Sequence, residues 1–136
     1  MISGGCLCGA VRFEVEGTLS GIWFCHCSKC RRASGSAFQP ACVCERDAFR
    51  WIGSAATLSE FWMSPGYRRA FCARCGSPAP LMLEHAPLVW LPAGAFDGDP
   101  GIRPTHHIFV GSKAPWFEIT DALPQYDAHA PTKASS

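Results

Sequence analysis

Cys6-Leu7-Cys8-Gly9-Ala10-Val11-Arg12-Phe13-Glu14-Val15-Glu16 joins two features from which the fold is read. Val11, Phe13 and Val15 alternate with Arg12, Glu14 and Glu16, the period-two pattern of a strand with one buried and one solvated face. Immediately before it, Cys6 and Cys8 are two residues apart, and in an extended segment residues i and i+2 point to the same side. Two sulfurs at the head of a strand can therefore face one ion. A second such pair follows at Cys72-Ala73-Arg74-Cys75, and Gly9 and Gly76 each come directly after a final cysteine. A glycine free to take φ > 0 there lets backbone amides fold back towards sulfur.

Working outward, further apolar and aromatic runs lie at Ile22–Cys25, 37–44, 49–52, Leu58–Met63, 69–72, 88–91 and 107–110, punctuated by Gly, Pro and Ser. The rhythm predicts a mostly β chain with little helix. Pro40 suggests an edge strand or a bulge in its run, because proline cannot donate to a ladder. One short helix is expected over Ser28–Ser34, stopped by Gly35, and another near Asp121. Trp51, Trp62 and Trp90 are expected in the core. The length of 136 residues suits one domain over 1–126, followed by a mobile tail over 127–136 with no apolar pattern.

Composition excludes several classes of function. The longest charge-free stretches, such as 17–28 and 85–96, are 12 residues long and interrupted by Gly, Pro or polar groups, too short for a bilayer span. No membrane partner is expected. Positions 1–6 lack the basic start and apolar run of a secretory signal, so a cytoplasmic location is the expectation. The net charge is +1, without the basic excess of a nucleic-acid binder, and no nucleic-acid partner is expected. The nine cysteines are an odd number, tightly clustered. Near-neighbour thiols rarely meet disulfide geometry but readily converge on an ion, which makes zinc the expected cofactor.

Seven of the nine sulfurs fall into three groups, the third being Cys25-His26-Cys27-Ser28-Lys29-Cys30. One division places Cys6, Cys8, Cys72 and Cys75 around one ion and leaves Cys25, Cys27 and Cys30 as a trio with an open coordination position, as catalytic zinc requires. A rival division joins Cys27 and Cys30 to Cys72 and Cys75 as an ordinary zinc ribbon and leaves Cys6, Cys8 and Cys25 spare. Spacing does not choose between them. His26, turned away from its flanking sulfurs in an extended Cys-His-Cys, reads as a buried or pocket-wall imidazole rather than a ligand. Cys42 and Cys44 lie in an apolar run and read as core. Lys29, Arg31 and Arg32 surround the trio, where they anchor a substrate carboxylate, balance thiolate charge or are simply solvated. The stretch Lys113-Ala114-Pro115-Trp116-Phe117 reads as a rigid turn whose aromatics pack over the sheet. His106 and His107 read as hydrogen-bonded structural histidines, and the acidic residues form no evident catalytic pair.

Four motifs together resemble one family: Gly4-Gly5-Cys6-Leu7-Cys8-Gly9-Ala10-Val11, Cys25-His26-Cys27-Ser28-Lys29-Cys30-Arg31, Phe71-Cys72-Ala73-Arg74-Cys75-Gly76-Ser77 and Ser112-Lys113-Ala114-Pro115-Trp116. They occur over about residues 3–126 in the order found in the glutathione-dependent formaldehyde-activating enzyme (Gfa) family, which also includes centromere protein V. The resemblance implies a β-tent zinc-binding fold of antiparallel sheets, shared with guanine-nucleotide-exchange chaperones and type B methionine sulfoxide reductases. It implies a structural zinc on Cys6, Cys8, Cys72 and Cys75 and a catalytic zinc on Cys25, Cys27 and Cys30, two ions per chain. The implied activity is that of a carbon–sulfur lyase acting on a thiol such as glutathione and an aldehyde such as formaldehyde, as in S-hydroxymethylglutathione synthesis. The alternative is a non-catalytic zinc scaffold or chaperone-like interaction protein.

Overall fold

A computed structural model describes residues 1–131. In chain order its elements are β1 (Ile2–Gly5), β2 (Arg12–Val15), β3 (Ile22–Cys25), α1 (Ser28–Ser34), β4 (Gln39–Glu45), β5 (Phe49–Trp51), β6 (Leu58–Met63), β7 (Tyr67–Cys72), β8 (Pro78–Ala79), β9 (Leu81–Met82), β10 (Leu88–Pro92) and β11 (Pro104–Ile108). Short 3-10 turns occupy Arg46–Ala48, Ala93–Ala95 and Val110–Ser112. The fold is mostly β with one short helix. Among the described residues, no helix is long and apolar enough to cross a membrane.

The described residues form two compact units, one from 1–20 and 42–102, the other from 21–41 and 103–131. In the first unit β2 pairs antiparallel with both β1 and β5, with Phe13 opposite Gly4 on one side and Trp51 on the other. The predicted alternation is realised, since Val11, Phe13 and Val15 are at most 1% exposed. Phe13 stacks on Phe49 and meets Phe96 edge-on, with ring centroids 5.7 and 5.9 Å away. A second sheet of the order β6-β7-β8 packs Ala70, Cys72 and Ala79 against Val11 and Leu81. Trp51 and Trp90 flank this cluster, half-buried, as expected of core aromatics. Trp62 does not. It is 54% exposed on β6, between exposed Phe61 and Met63; since successive strand residues alternate faces, both faces of this end of β6 are uncovered. Arg68 lies over its indole, 4.6 Å from the ring centroid.

In the second unit β3 pairs antiparallel with the first residues of β4 and parallel with β11. Parallel neighbours need a long crossover, and these two strands are separated by most of the first unit's sequence. Pro40 sits in regular register opposite Phe24, with no bulge. The helix over Ser28–Ser34 forms as predicted, ending at Gly35, which takes φ 66° and donates to Arg31 O. The helix expected near Asp121 is absent. There the carboxylate accepts from the Leu123 amide at 2.9 Å, a side-chain turn that competes with helix. Of the tail expected over 127–136, positions 132–136 lie outside the described residues; before them, Ala128 O accepts from the Phe109 amide at 3.0 Å.

Candidate metal centres

The first unit brings Cys6, Cys8, Cys72 and Cys75 together, with sulfurs all within 4.8 Å of one another. Each comes from a place the chain makes rigid. Cys6 follows β1, Cys72 ends β7, and Cys72 and Cys75 pack against the core cluster. Cys6 and Cys8 sulfurs are 3.7 Å apart, and Cys8 lies 3.8 Å from Cys72. Gly9 and Gly76 have φ of 83° and 78°, the left-handed values that the tight turns require, and the Gly76 amide returns to Cys72 O at 2.6 Å. Amides do converge on sulfur, as with Val11 N on Cys6 Sγ at 3.2 Å. Two hydroxyls complete the shell: Ser77 Oγ is 3.2 Å from Cys75 Sγ and Thr57 Oγ1 is 3.4 Å from Cys72 Sγ.

Electrostatics within this group are those of a cation site. Hydrogen bonds from the Ser77 hydroxyl and amide pull Cys75 down to about 5, and the Thr57 hydroxyl lowers Cys72. Cys8 receives the Ala10 amide, which would lower it, yet desolvation and the adjacent sulfurs push it up to about 11. Four thiols in contact cannot all ionise unless a positive charge sits among them. The donor set therefore fits a thiophilic dication such as zinc.

The second unit brings Cys25, Cys27 and Cys30 together within the same 4.8 Å limit. Cys25 is the last residue of β3 and is 7% exposed. Cys27 caps α1, its sulfur accepting from the Cys30 amide at 3.2 Å, which fixes two of the trio relative to each other before any ion binds. Within their own units, Cys72 and Cys75 converge with Cys6 and Cys8, and Cys27 and Cys30 with Cys25. No disulfide joins any described cysteine.

Around the trio, His26 is fully buried and is not among the converging ligands. Its amide donates to Ile108 O at 3.0 Å and its Nε2 is 2.8 Å from Nδ1 of His107. His107, 1% exposed, reaches Asp121 through Nε2 at 2.9 Å. Phe38 and Phe117 flank the His26 ring. Burial, with His107 and Lys113 adding to it, lowers His26 to about 4, so this imidazole is neutral. Arg31 donates from Nε to Ser112 O at 3.1 Å, a structural use of one of the three flanking cations, while Lys29 and Arg32 are exposed. Lys113, Trp116, Phe117, Glu118 and Gln125 line an open cavity of about 490 Å³ in this unit. Trp116 is 74% exposed there, whereas Phe117 packs as expected. Cys42 and Cys44 are core thiols, pushed up by burial to about 12 and about 11. Thr57 and Asp121 carry no local sequence signal for these roles and become visible only when the fold delivers them, whereas Ser77 closes the Cys72-x2-Cys75 motif.

Comparison with known proteins agrees with this geometry. The profile of the glutathione-dependent formaldehyde-activating enzyme family matches residues 1–112, a span that includes both cysteine groups. The chain belongs to this family. A Halomonas elongata relative, named provisionally as a glutathione-dependent formaldehyde-activating enzyme, is 31% identical over 129 residues, covering 88% of this chain and 81% of its own. A Rhodobacter sphaeroides protein of known crystal structure superposes with a TM-score of 0.57 at 25% identity, over 76% of this Gfa-family chain and 99% of its own.

Proposed function

We propose that this Gfa-family chain is a zinc-dependent carbon–sulfur lyase that joins a thiol such as glutathione to a small aldehyde such as formaldehyde, and releases them in reverse. The observation that carries the reading is the division of seven thiols into a complete set of four and an incomplete set of three. Cys6, Cys8, Cys72 and Cys75 would hold a structural ion, closing a tetrahedron with protein ligands alone. Cys25, Cys27 and Cys30 would hold the second and leave one position for substrate. Zinc there supplies a lowered thiol pKa, so that the incoming substrate reacts as its thiolate.

The protein's own contribution is to hold that position in place. β3 fixes Cys25, the cap of α1 fixes Cys27 and Cys30, and Arg31 ties the helix to Ser112. In the forward direction sulfur bonds to the carbonyl carbon, the C=O π pair moves onto oxygen, and the proton released by the thiol ends there as the hydroxyl of a hemithioacetal. The 490 Å³ cavity with its exposed Trp116 offers room in the same unit for the rest of a peptide-like thiol. The unbridged cysteines support a reducing, cytoplasmic setting.

Zinc analysis on protein purified under reducing conditions should give two ions per chain, and Cys27→Ser should keep one. That variant should lose turnover above the spontaneous addition of thiol to formaldehyde while keeping its fold. Unchanged turnover would remove the lyase reading. A second reading, a zinc scaffold that binds a protein partner, draws on the exposed Phe61, Trp62 and Met63 of β6. It requires partner binding that Cys27→Ser leaves intact and Trp62→Ala weakens.

A further inference from the structure

Nδ1 of His26 is buried and has no hydrogen-bond partner. An orphaned polar atom of this kind costs about 1–3 kcal/mol and calls for an explanation. The chain of contacts behind it supplies one. Asp121 is 41% exposed and ionised, its carboxylate held below the usual range by His107, so it only accepts. His107 must then donate from Nε2. A second proton on His107 would put a cation at a site 1% exposed and would leave a buried N–H on His26 with nothing to donate to. The neutral arrangement has His107 Nδ1 accepting from His26 Nε2, 2.8 Å away. His26 Nδ1 is then a lone pair at the far end of a polarised chain that starts on a surface carboxylate.

His26 lies between Cys25 and Cys27 in sequence, so covalent geometry keeps Nδ1 within about 8 Å of the Cα of each. With its amide on Ile108 O and its ring on His107, His26 is anchored to β11 on one side. The alternation of an extended segment then sends the sulfurs of Cys25 and Cys27 to the other.

We propose that Asp121 and His107 are positioning residues for the trio: through hydrogen bonds they fix His26 as its Nε2–H tautomer, the one that leaves no buried N–H unpaired, and so orient the Cys25-His26-Cys27 segment that carries two of the three thiols. This deepens the zinc reading above, and it concerns the hold on the ion rather than the substrate. Outer-shell partners that act this way on metal sites are worth about 10–100-fold in affinity.

Asp121→Asn is the informative substitution. Oδ1 accepts from the Leu123 amide as well as facing His107, so the amide oxygen of the variant stays on Leu123 and its NH₂ faces His107. With that NH₂ in the nearer position, 2.9 Å from His107 Nε2, both imidazoles are expected to change tautomer in turn, which leaves a buried N–H at His26 Nδ1 with no acceptor and loosens the segment that carries Cys25 and Cys27. Side-chain ¹⁵N NMR of the zinc-loaded protein should show Nε2–H on His26 and His107 in the wild type and Nδ1–H on both in Asp121→Asn. Competition with a chromophoric chelator should show about 10-fold weaker zinc at the trio and an unchanged tetrathiolate site. Nδ1–H on His26 in the wild type overturns the proposal, as does a tautomer switch with no change in trio affinity. The wild-type spectrum decides even if the variant does not fold. Neither readout needs a substrate, so a protein that passes both and turns over no aldehyde defeats the lyase reading alone.

Discussion

At the scale of single residues, Phe13 shows how alternation becomes stability. It is fully buried between Phe49 and Phe96, so Phe13→Ala removes an aromatic payload and leaves a cavity that the paired strands cannot close. The expected cost is about 3–5 kcal/mol, read as a lower urea midpoint with unchanged slope. Arg12, on the opposite face of β2, forms an ion pair with Asp97 that holds this carboxyl below its usual range. A depressed carboxylate contributes stability above its unfolded value of about 3.9, and that contribution disappears as pH falls through the lower folded value. Asp97→Asn should therefore be less stable than wild type at pH 7, and the gap should close on acidification below about pH 4. A gap that stays constant with pH would mean that the pair contributes no charge-dependent stability. Both groups are substantially exposed, so added salt should shrink the gap too.

At the scale of elements, the turn Cys72-Ala73-Arg74-Cys75-Gly76 is set by one backbone angle. Gly76→Ala forces a Cβ into φ 78°, at a cost of about 1–2 kcal/mol, and should loosen metal at the tetrathiolate site while sparing the trio. Chelator titration of the variant checks both halves of that statement. The same elements explain what was legible in the sequence. β2 was readable because its burial alternates along the strand itself, and α1 because Cys27 caps it locally and Gly35 ends it. Trp62 was misread because its exposure depends on both faces of that end of β6 being uncovered, which no pattern within 58–63 reveals. β1 is rich in glycine and only becomes a strand through its register with β2. The spacing of the thiols left two divisions open, and that Cys8 meets Cys72 across 64 positions is visible only in the fold. Asp121 reads as an ordinary surface acid until His107 is brought to it.

On the scale of the whole molecule, the two cysteine groups belong to units that respond differently to loss of a thiol. Cys72 is both a ligand candidate and a fully buried member of the core cluster, so Cys72→Ser should lower the melting temperature sharply. Cys27 is half-buried at a helix cap, and Cys27→Ser should shift melting far less, because serine caps helices well. Thermal unfolding of the two variants side by side tests this ordering. Cys42 and Cys44 supply a marker for global opening. At 0% and 2% exposure they should resist an aqueous thiol reagent in the folded protein and react rapidly in denaturant.

The order in which the chain leaves the ribosome gives the parallel pairing of β3 with β11 a consequence in time. Residues up to 102 already contain every strand of the first unit, and its four thiols can close as soon as Cys75 has emerged. The trio is synthesised far earlier than the strand that braces it, since Cys25 meets Ile108, and His26 meets His107, only after more than 80 further residues. Between those moments three thiols that converge in the finished protein belong to an unfinished sheet. During that interval they depend on the reducing power of their surroundings, or on early capture of a metal ion, to reach the end of synthesis unoxidised.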